Sequence, residues 1–266
     1  MPRKFRAKIE RFAQYFREQI EKIRGLRSGD GNGQQSCIDL AMHQKILYLT
    51  VVDSLAGVRY PDISQNALRF HKFLAESGAW SEGALVSVPV LEARLHPRAL
   101  DRRLTRYVLN LLRKHSPLAP NGYPSTEIDV EMSVLQARAS TPEGQTLIQQ
   151  SQHFKLLYSY RNFVVHEFRK PGYAMEVFGE SRTDPWYHSY INELKWHLLY
   201  PVGFFDRLAI SYVSSMRRYL TEESIDPYAR VYDTTTWSSN IRRGAKKASN
   251  PTLHRTANAL TCIVRR

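Results

Sequence analysis

Apolar positions fall at helical spacing over most of the first 220 residues. Phe5, Ile9, Phe12, Phe16, Ile20 and Ile23 recur at steps of three and four, lining one face of a helix. Glu18 stands four before Lys22, and Arg17 four before Glu21, so the outer face carries paired charges. This helix is predicted to end near Arg27, at the break Ser28-Gly29-Asp30-Gly31-Asn32-Gly33. No strand precedes that run and no Lys-Ser/Thr follows it, so it reads as a surface linker rather than a phosphate loop. Asp39 to Val58 is rich in Ile, Leu, Val and Tyr and stops at Tyr60-Pro61-Asp62. Asn66–Ala79 repeats helical spacing through Leu68, Phe70, Phe73 and Leu74, whereas Gly83–Leu95 is less regular and is cut by Pro89.

Leu100, Leu104, Val108 and Leu111 mark another helix, closed by Ser116-Pro117. Pro120–Ser125 reads as loop, with Ser125 or Thr126 capping a helix through Gln136. Thr141-Pro142-Glu143 has the form of a helix start with proline at the first position. That helix should run to about Phe168 and stop before Pro171-Gly172. Within Tyr173–Trp186, Met175-Glu176-Val177-Phe178-Gly179 carries the one convincing extended pattern, a short hairpin. Two further helices follow, broken at Pro201, and Val202, Phe205, Leu208, Tyr212, Met216 and Leu220 form the core stripe of the second.

The expected fold is all-α, a bundle of seven to nine helices with at most one small β-hairpin. Residues 1–27 form a basic amphipathic helix, packed on the body or a partner chain, with a membrane surface as its other resting place. Residues 36–222 form the helical domain, and residues 223–266 a basic tail predicted to be disordered.

Composition changes this picture in two places. With 42% hydrophobic and 11% aromatic residues among 266, the chain has ample material for a core. Its formal charge of +13 sits at the two ends. Residues 1–27 hold nine Lys/Arg against three Glu, residues 238–266 hold seven against no acid, and the body between sums to neutral. Such arms can hold phosphates nonspecifically, so a nucleic-acid scaffold driven by them is one function class.

The isolated Cys37 and Cys262 fit a reducing compartment. No apolar run follows the basic start, and the longest apolar runs, near 46–52 and 198–205, are too short for a bilayer. A cytoplasmic protein with no membrane span is expected. No HExxH, CxxC or clustered Asp/His pattern points to a metal and no GxSxG to a serine hydrolase, so no cofactor is expected.

Candidate chemistry lies in Leu156–Phe168, where Arg161, Asn162 and His166 interrupt an apolar helix. A cation and a titratable ring in such a segment cost desolvation energy unless something pairs with them. Projected at about 100° per residue, Ser159, Asn162, His166 and Arg169 share a narrow polar stripe with Arg161 at its border. Asn162 and His166, four apart, are neighbours. Glu167 falls on the apolar side, where it needs a partner or a frayed helix end. One reading is a core network, with Arg161 paired to an acid such as Asp53 and His166 bonded to a carbonyl. The other is a functional site.

Arg161-Asn162-Phe163-Val164-Val165-His166 resembles the Arg, polar residue, spacer, His signature of the HEPN superfamily. Arg161–Gly172 followed by Pro185-Trp186-Tyr187-His188 also resembles a group of uncharacterised bacterial HEPN-like proteins. The resemblance implies a homodimer in which two motif helices face each other and form one site. It implies a metal-independent endoribonuclease with Arg161, Asn162 and His166 as its catalytic residues, often in toxin–antitoxin or phage-defence systems with an antitoxin or defence partner. In such a site histidine takes the 2′-OH proton, arginine binds the phosphorane oxygens, and Asn162 orients His166 or holds a phosphate oxygen. Glu167 and Arg169 are secondary candidates for tuning His166, and His188 for leaning over the site. The alternative on the same fold is a non-catalytic module that binds nucleotide or RNA or engages another protein.

Overall fold

A computed structural model describes residues 3–27, 33–96, 100–116, 119, 121–167, 182–189 and 195–230. The described residues are predominantly helical, with one small antiparallel sheet, as the apolar periodicity requires. Helix α1 (Arg3–Gly25) buries Ile9, Phe12, Phe16, Ile20 and Ile23 against α2 (Gly33–Arg59) and α10 (Val202–Glu222). Helix α2 is buried around most of its circumference, with His43, Leu47, Thr50 and Ser54 forming an exposed stripe. Tyr48, Leu49, Val51, Val52, Leu55, Ala56 and Val58 are all buried, so it forms the centre of the bundle. Around it lie α1, α3 (Asn66–Glu76), α9 (His153–His166) and α10. Arg24 holds α1 to α10 through Asp206, both nitrogen–oxygen distances being 2.7 Å, and Tyr48 donates to the same carboxylate at 2.9 Å.

A second core is built by α4 (Val88–Leu95), α5 (Arg102–Leu112), α6 (Ser125–Ile128), α7 (Met132–Gln136), α8 (Pro142–Gln150) and the sheet. Strands β1 (Tyr123–Pro124), β2 (Trp186–His188) and β3 (His197–Leu199) pair antiparallel in that order, with Tyr123 opposite Tyr187 and Tyr187 opposite Leu198. Leu198 packs against both cores. Gly122 leads into β1 at φ +62°, where a Cβ would stand 2.2 Å from the Tyr187 carbonyl. Only glycine fits that approach.

Several boundaries depart from the sequence pattern, each for a tertiary reason. The predicted helix through Gln136 is two helices, with Pro124 rather than Ser125 or Thr126 at the N-cap. Between them Asp129 turns extended, its carboxylate taken by three buried donors, and Val130 bridges to Val86. The helix opened by Thr141, whose hydroxyl accepts from Gly144 N at 3.0 Å, breaks at Ser151-Gln152 into α8 and α9. There the chain bonds across to residues 85–87: Ser87 N to Ser151 O at 2.9 Å, and His153 N to Leu85 O at 3.1 Å. These bonds replace the helical ones that the break removes.

Pro89 does not cut the segment Gly83–Leu95. It lies in the first turn of α4, where its missing N–H is no loss, behind the Ser87 cap. The segment before Pro201 is strand β3 rather than helix, and Pro201 caps α10. Order also continues past Glu223: Ile225 and Tyr228 pack on the first core, Asp226 pairs with Lys8, and Arg230 donates to Val58 O at 3.2 Å. Residues 28–32, Met175–Gly179 and the chain from 231 onward lie outside the described residues. No helix among the described residues is long and apolar enough to cross a membrane.

Candidate functional site

Helix α9 is positioned by what its apolar face buries. Leu157, Tyr160 and Val164 turn into the first core, with α9 packed against α2 and α3, and Leu156 is buried as well. Phe154 enters a slot beside Trp80 that exists because residue 83 is glycine; a Cβ there would meet the Phe154 ring at 2.1 Å. With that face fixed, the next turn presents Arg161, Asn162 and His166 at the C-terminal end of the helix. Arg161 and Asn162 are partly buried, whereas His166 is exposed.

Arg161 is the hub. Its Nε and Nη2 donate to Asp53 Oδ2 on α2 at 3.0 and 2.5 Å. Asp53 is the acid that the sequence offered as its partner, here half-buried rather than enclosed. The remaining terminal nitrogen, Nη1, donates to Asn162 Oδ1 at 3.1 Å and lies 2.7 Å from His166 Nε2. A guanidinium nitrogen can only donate, so Nε2 is the unprotonated nitrogen and the ring proton sits on Nδ1. His166 bonds to a side chain here rather than to a carbonyl. Arg161 also retains a second Nη2 proton beyond the one given to Asp53.

The stripe continues toward the helix start. The Arg161 guanidinium carbon lies 5.9 Å from the Tyr158 ring centre, within cation–π range. Tyr158 packs edge-on against His71 of α3 at 5.0 Å, and Lys155 Nζ donates to His71 Nδ1 at 3.0 Å. Burial, with Lys155 adding to it, pushes the His71 ring down to about 4, so it is neutral near pH 7. The chemistry available at the end of the helix is the anchored Arg161 guanidinium, the His166 imidazole, the Asn162 amide and the neighbouring Tyr158 ring.

The secondary candidates separate. Glu167 caps the C-terminus of α9, the frayed-end alternative, and is exposed. Arg169 lies outside the described residues. His188 sits in β2 opposite His197, ring centres 6.2 Å apart. Its pKa is lowered by burial first, then by His197 and Arg182, a setting made by the sheet side of the molecule rather than by the α9 cluster. Among the described residues no group of three or more His, Cys, Asp or Glu side chains is gathered to hold a metal ion.

Sequence reasoning missed a second polar cluster altogether. His153 Nε2 lies 2.6 Å from Asp129 Oδ2, and its Nδ1 lies 2.8 Å from the Tyr200 hydroxyl. The Tyr187 hydroxyl stands 2.9 Å from each Asp129 oxygen and 2.6 Å from Ser87 Oγ. All five residues are buried, and burial, with Asp129 beside them, raises both tyrosines well above their ordinary pKa. Five separate segments supply these groups, so no local spacing could have revealed them.

The fold and site together define a helical bundle with an Arg–Asn–His cluster at the exposed end of one core helix. No protein-family model, curated protein or solved structure matches the chain.

Proposed function

We propose that the protein is a metal-independent endoribonuclease, acting as a homodimer through α9, with Arg161 and His166 at its centre. The observation that carries this reading is the shared guanidinium. Asp53 anchors Arg161, while Nη1 reaches both Asn162 and the His166 nitrogen that would act as base. An incoming phosphate competes for Nη1. As the guanidinium turns to a phosphoryl oxygen, His166 Nε2 is released to take the 2′-OH proton. The 2′ oxygen attacks phosphorus, the P–O5′ bond breaks, and the products are a 2′,3′-cyclic phosphate and a 5′-hydroxyl. The leaving oxygen takes a proton from water or from the second copy's protonated histidine. DNA, lacking the 2′-OH, is inert.

The test is cleavage of mixed total RNA in EDTA by wild type and by His166→Ala, with matched melting curves. Proton transfer of this kind contributes about 10²–10⁴-fold, so His166→Ala should lose at least that range's lower bound. Full activity in the variant, or no cleavage by folded wild type, defeats the proposal. One observation favours a second reading: two of the three Arg161 nitrogens are committed to Asp53. A non-catalytic RNA-binding or protein-interaction module would use the cluster to hold a ligand. It predicts RNA affinity that depends on Arg161 without any product formation.

A further inference from the structure

Outside the α9 cluster, the body's near-neutral sum hides a local concentration of charge. Residues 100–116 hold five Lys/Arg against one acid, Asp101. Asp101 faces inward: it is 1% exposed and caps α5 through Leu104 N at 3.0 Å. It also accepts from Ser140 N at 2.6 Å and Thr141 N at 3.0 Å. Its charge is spent inside the fold, and the arginines outside keep theirs.

Three of them share one face. Arg102, Arg106 and Asn110 of α5 and Arg113 at its C-cap stand at i, i+4, i+8 and i+11. At 1.5 Å per residue this row spans about 16 Å, with neighbours about 6 Å apart at its start. They line a groove of about 640 Å³ between α4 and α5, with His96 and Thr105 beside them, Leu109 partly exposed and Leu95 buried beneath. Among the described residues no acidic side chain lines it. Among the described residues none of the three arginines meets a carboxylate, and Arg113 bonds only to Asn110, at 3.3 Å.

We infer that this groove binds the phosphodiester backbone of a single RNA strand. A linear row of guanidiniums meets a linear row of phosphates, each fork matching two phosphate oxygens. Asn110 and Thr105 add neutral hydrogen-bonding groups, and the exposed His96 ring, with the partly exposed Leu109 beside it, gives an unstacked base a surface to lie on. A run of acidic side chains would satisfy the charges but would offer the His96 ring no planar base to stack on. The choice of RNA rests on the ribonuclease reading of the α9 cluster.

The experiment measures binding of a labelled 12-nucleotide single-stranded RNA by fluorescence anisotropy across a salt series. It uses the full chain in a His166→Ala background, so that cleavage does not intervene. The basic C-terminal residues are common to every protein compared, so the difference between proteins isolates the groove. Combining Arg102→Gln, Arg106→Gln and Arg113→Gln should lower the slope of log K against log salt by about 2, since each single-strand phosphate contact contributes about 0.7. Affinity at low salt should drop about tenfold or more. Arg106→Gln alone, which perturbs the fold less, should lower the slope by about 0.7.

An unchanged slope in folded variants overturns the inference, as does equal competition by a polyglutamate peptide of the same charge. Cleavage is read separately, in the His166-containing protein, where the groove variants should raise KM and leave kcat. Slope loss without any cleavage would keep the groove and sink only the ribonuclease reading. Cleavage with an unchanged slope would do the reverse.

Discussion

Replacing Asp129 with alanine tests whether the buried cluster between the two cores holds the fold together. Its carboxylate accepts from three buried donors: Val88 N at 3.0 Å, the Tyr187 hydroxyl at 2.9 Å and His153 Nε2 at 2.6 Å. Alanine strands all three at about 1–3 kcal/mol each, while breaking one partner of a buried pair costs about 3–5 kcal/mol. A loss of about 4 kcal/mol is expected, against a total stability of about 5–15 kcal/mol for a domain. For a fold of this size that lowers Tm by about 8–16 °C. Asp129→Asn is the informative companion. Its amide oxygen still accepts from Val88 and Tyr187, and its NH₂ can donate to His153 Nε2 if the ring moves its proton to Nδ1 and donates to Tyr200 instead. Asparagine should therefore cost about 1–2 kcal/mol, since most bonds survive. Urea and thermal unfolding of the three proteins measure both values. If alanine costs less than about 1 kcal/mol, the donors find water or other partners and the hydrogen-bond accounting fails. Equal losses in both variants would make the negative charge, not the bond count, the stabilising element.

Three smaller predictions concern pH and packing. The folded state holds His71 neutral down to about 4, whereas the unfolded chain takes the proton near 6.5, so His71-linked stability is full above about 6.5 and falls as pH drops toward 4. Urea midpoints through that window should decline in wild type and decline less in His71→Gln. Burial raises the Asp101 pKa, but its bonds from Leu104, Ser140 and Thr141 outweigh that and hold it below the ordinary carboxylate range. Its contribution is thus present above about pH 4 and lost below it, and Asp101→Ser, which keeps a cap without the charge, should flatten that acid limb. Gly83→Ala drives a Cβ into the Phe154 ring and should cost about 1–3 kcal/mol, with Phe154→Leu in the same chain recovering part of it by unfolding measurement.

What could be read from the sequence follows the range of the forces involved. Helices α1, α3, α5 and α10 announce themselves because their apolar stripes are local, and α2 does so by its apolar content. Breaks at Asp129 and at Ser151-Gln152 carry no glycine or proline; they arise from bonds to residues 85–88, distant in the chain. The strands are two or three residues long, too short for alternation to register, and β3 is apolar enough to pass for helix. In the α9 cluster, the neighbouring of Asn162 and His166 follows from helical spacing, and the Arg161–Asp53 pair from the need to satisfy a cation in an apolar segment. That Arg161 would join all three was not legible, because side-chain reach decides it. The α5 arginine row was legible, at i, i+4 and i+11, but summing charge over the neutral body concealed it.

Asp53 is where the catalytic and structural readings of Arg161 part. If the pair exists for the fold, Asp53→Asn weakens an ion pair whose side chains are 21% and 11% exposed, at a cost of about 1 kcal/mol, and RNA handling is untouched. If Asp53 is a positioning residue, its charge holds back a cation that a phosphate must recruit. Asparagine keeps an oxygen for Nε and Nη2 but removes the competing charge. Arg161 then binds phosphate more readily and leaves His166 less well oriented. The expected signature is a lower KM for RNA with a reduced kcat, a split that a stability loss alone does not produce. Arg161→Lys sharpens the result, because a lysine keeps the charge yet cannot bond Asp53, Asn162 and His166 together. Kinetics with KM and kcat unchanged in folded Asp53→Asn would return Arg161 to the core network.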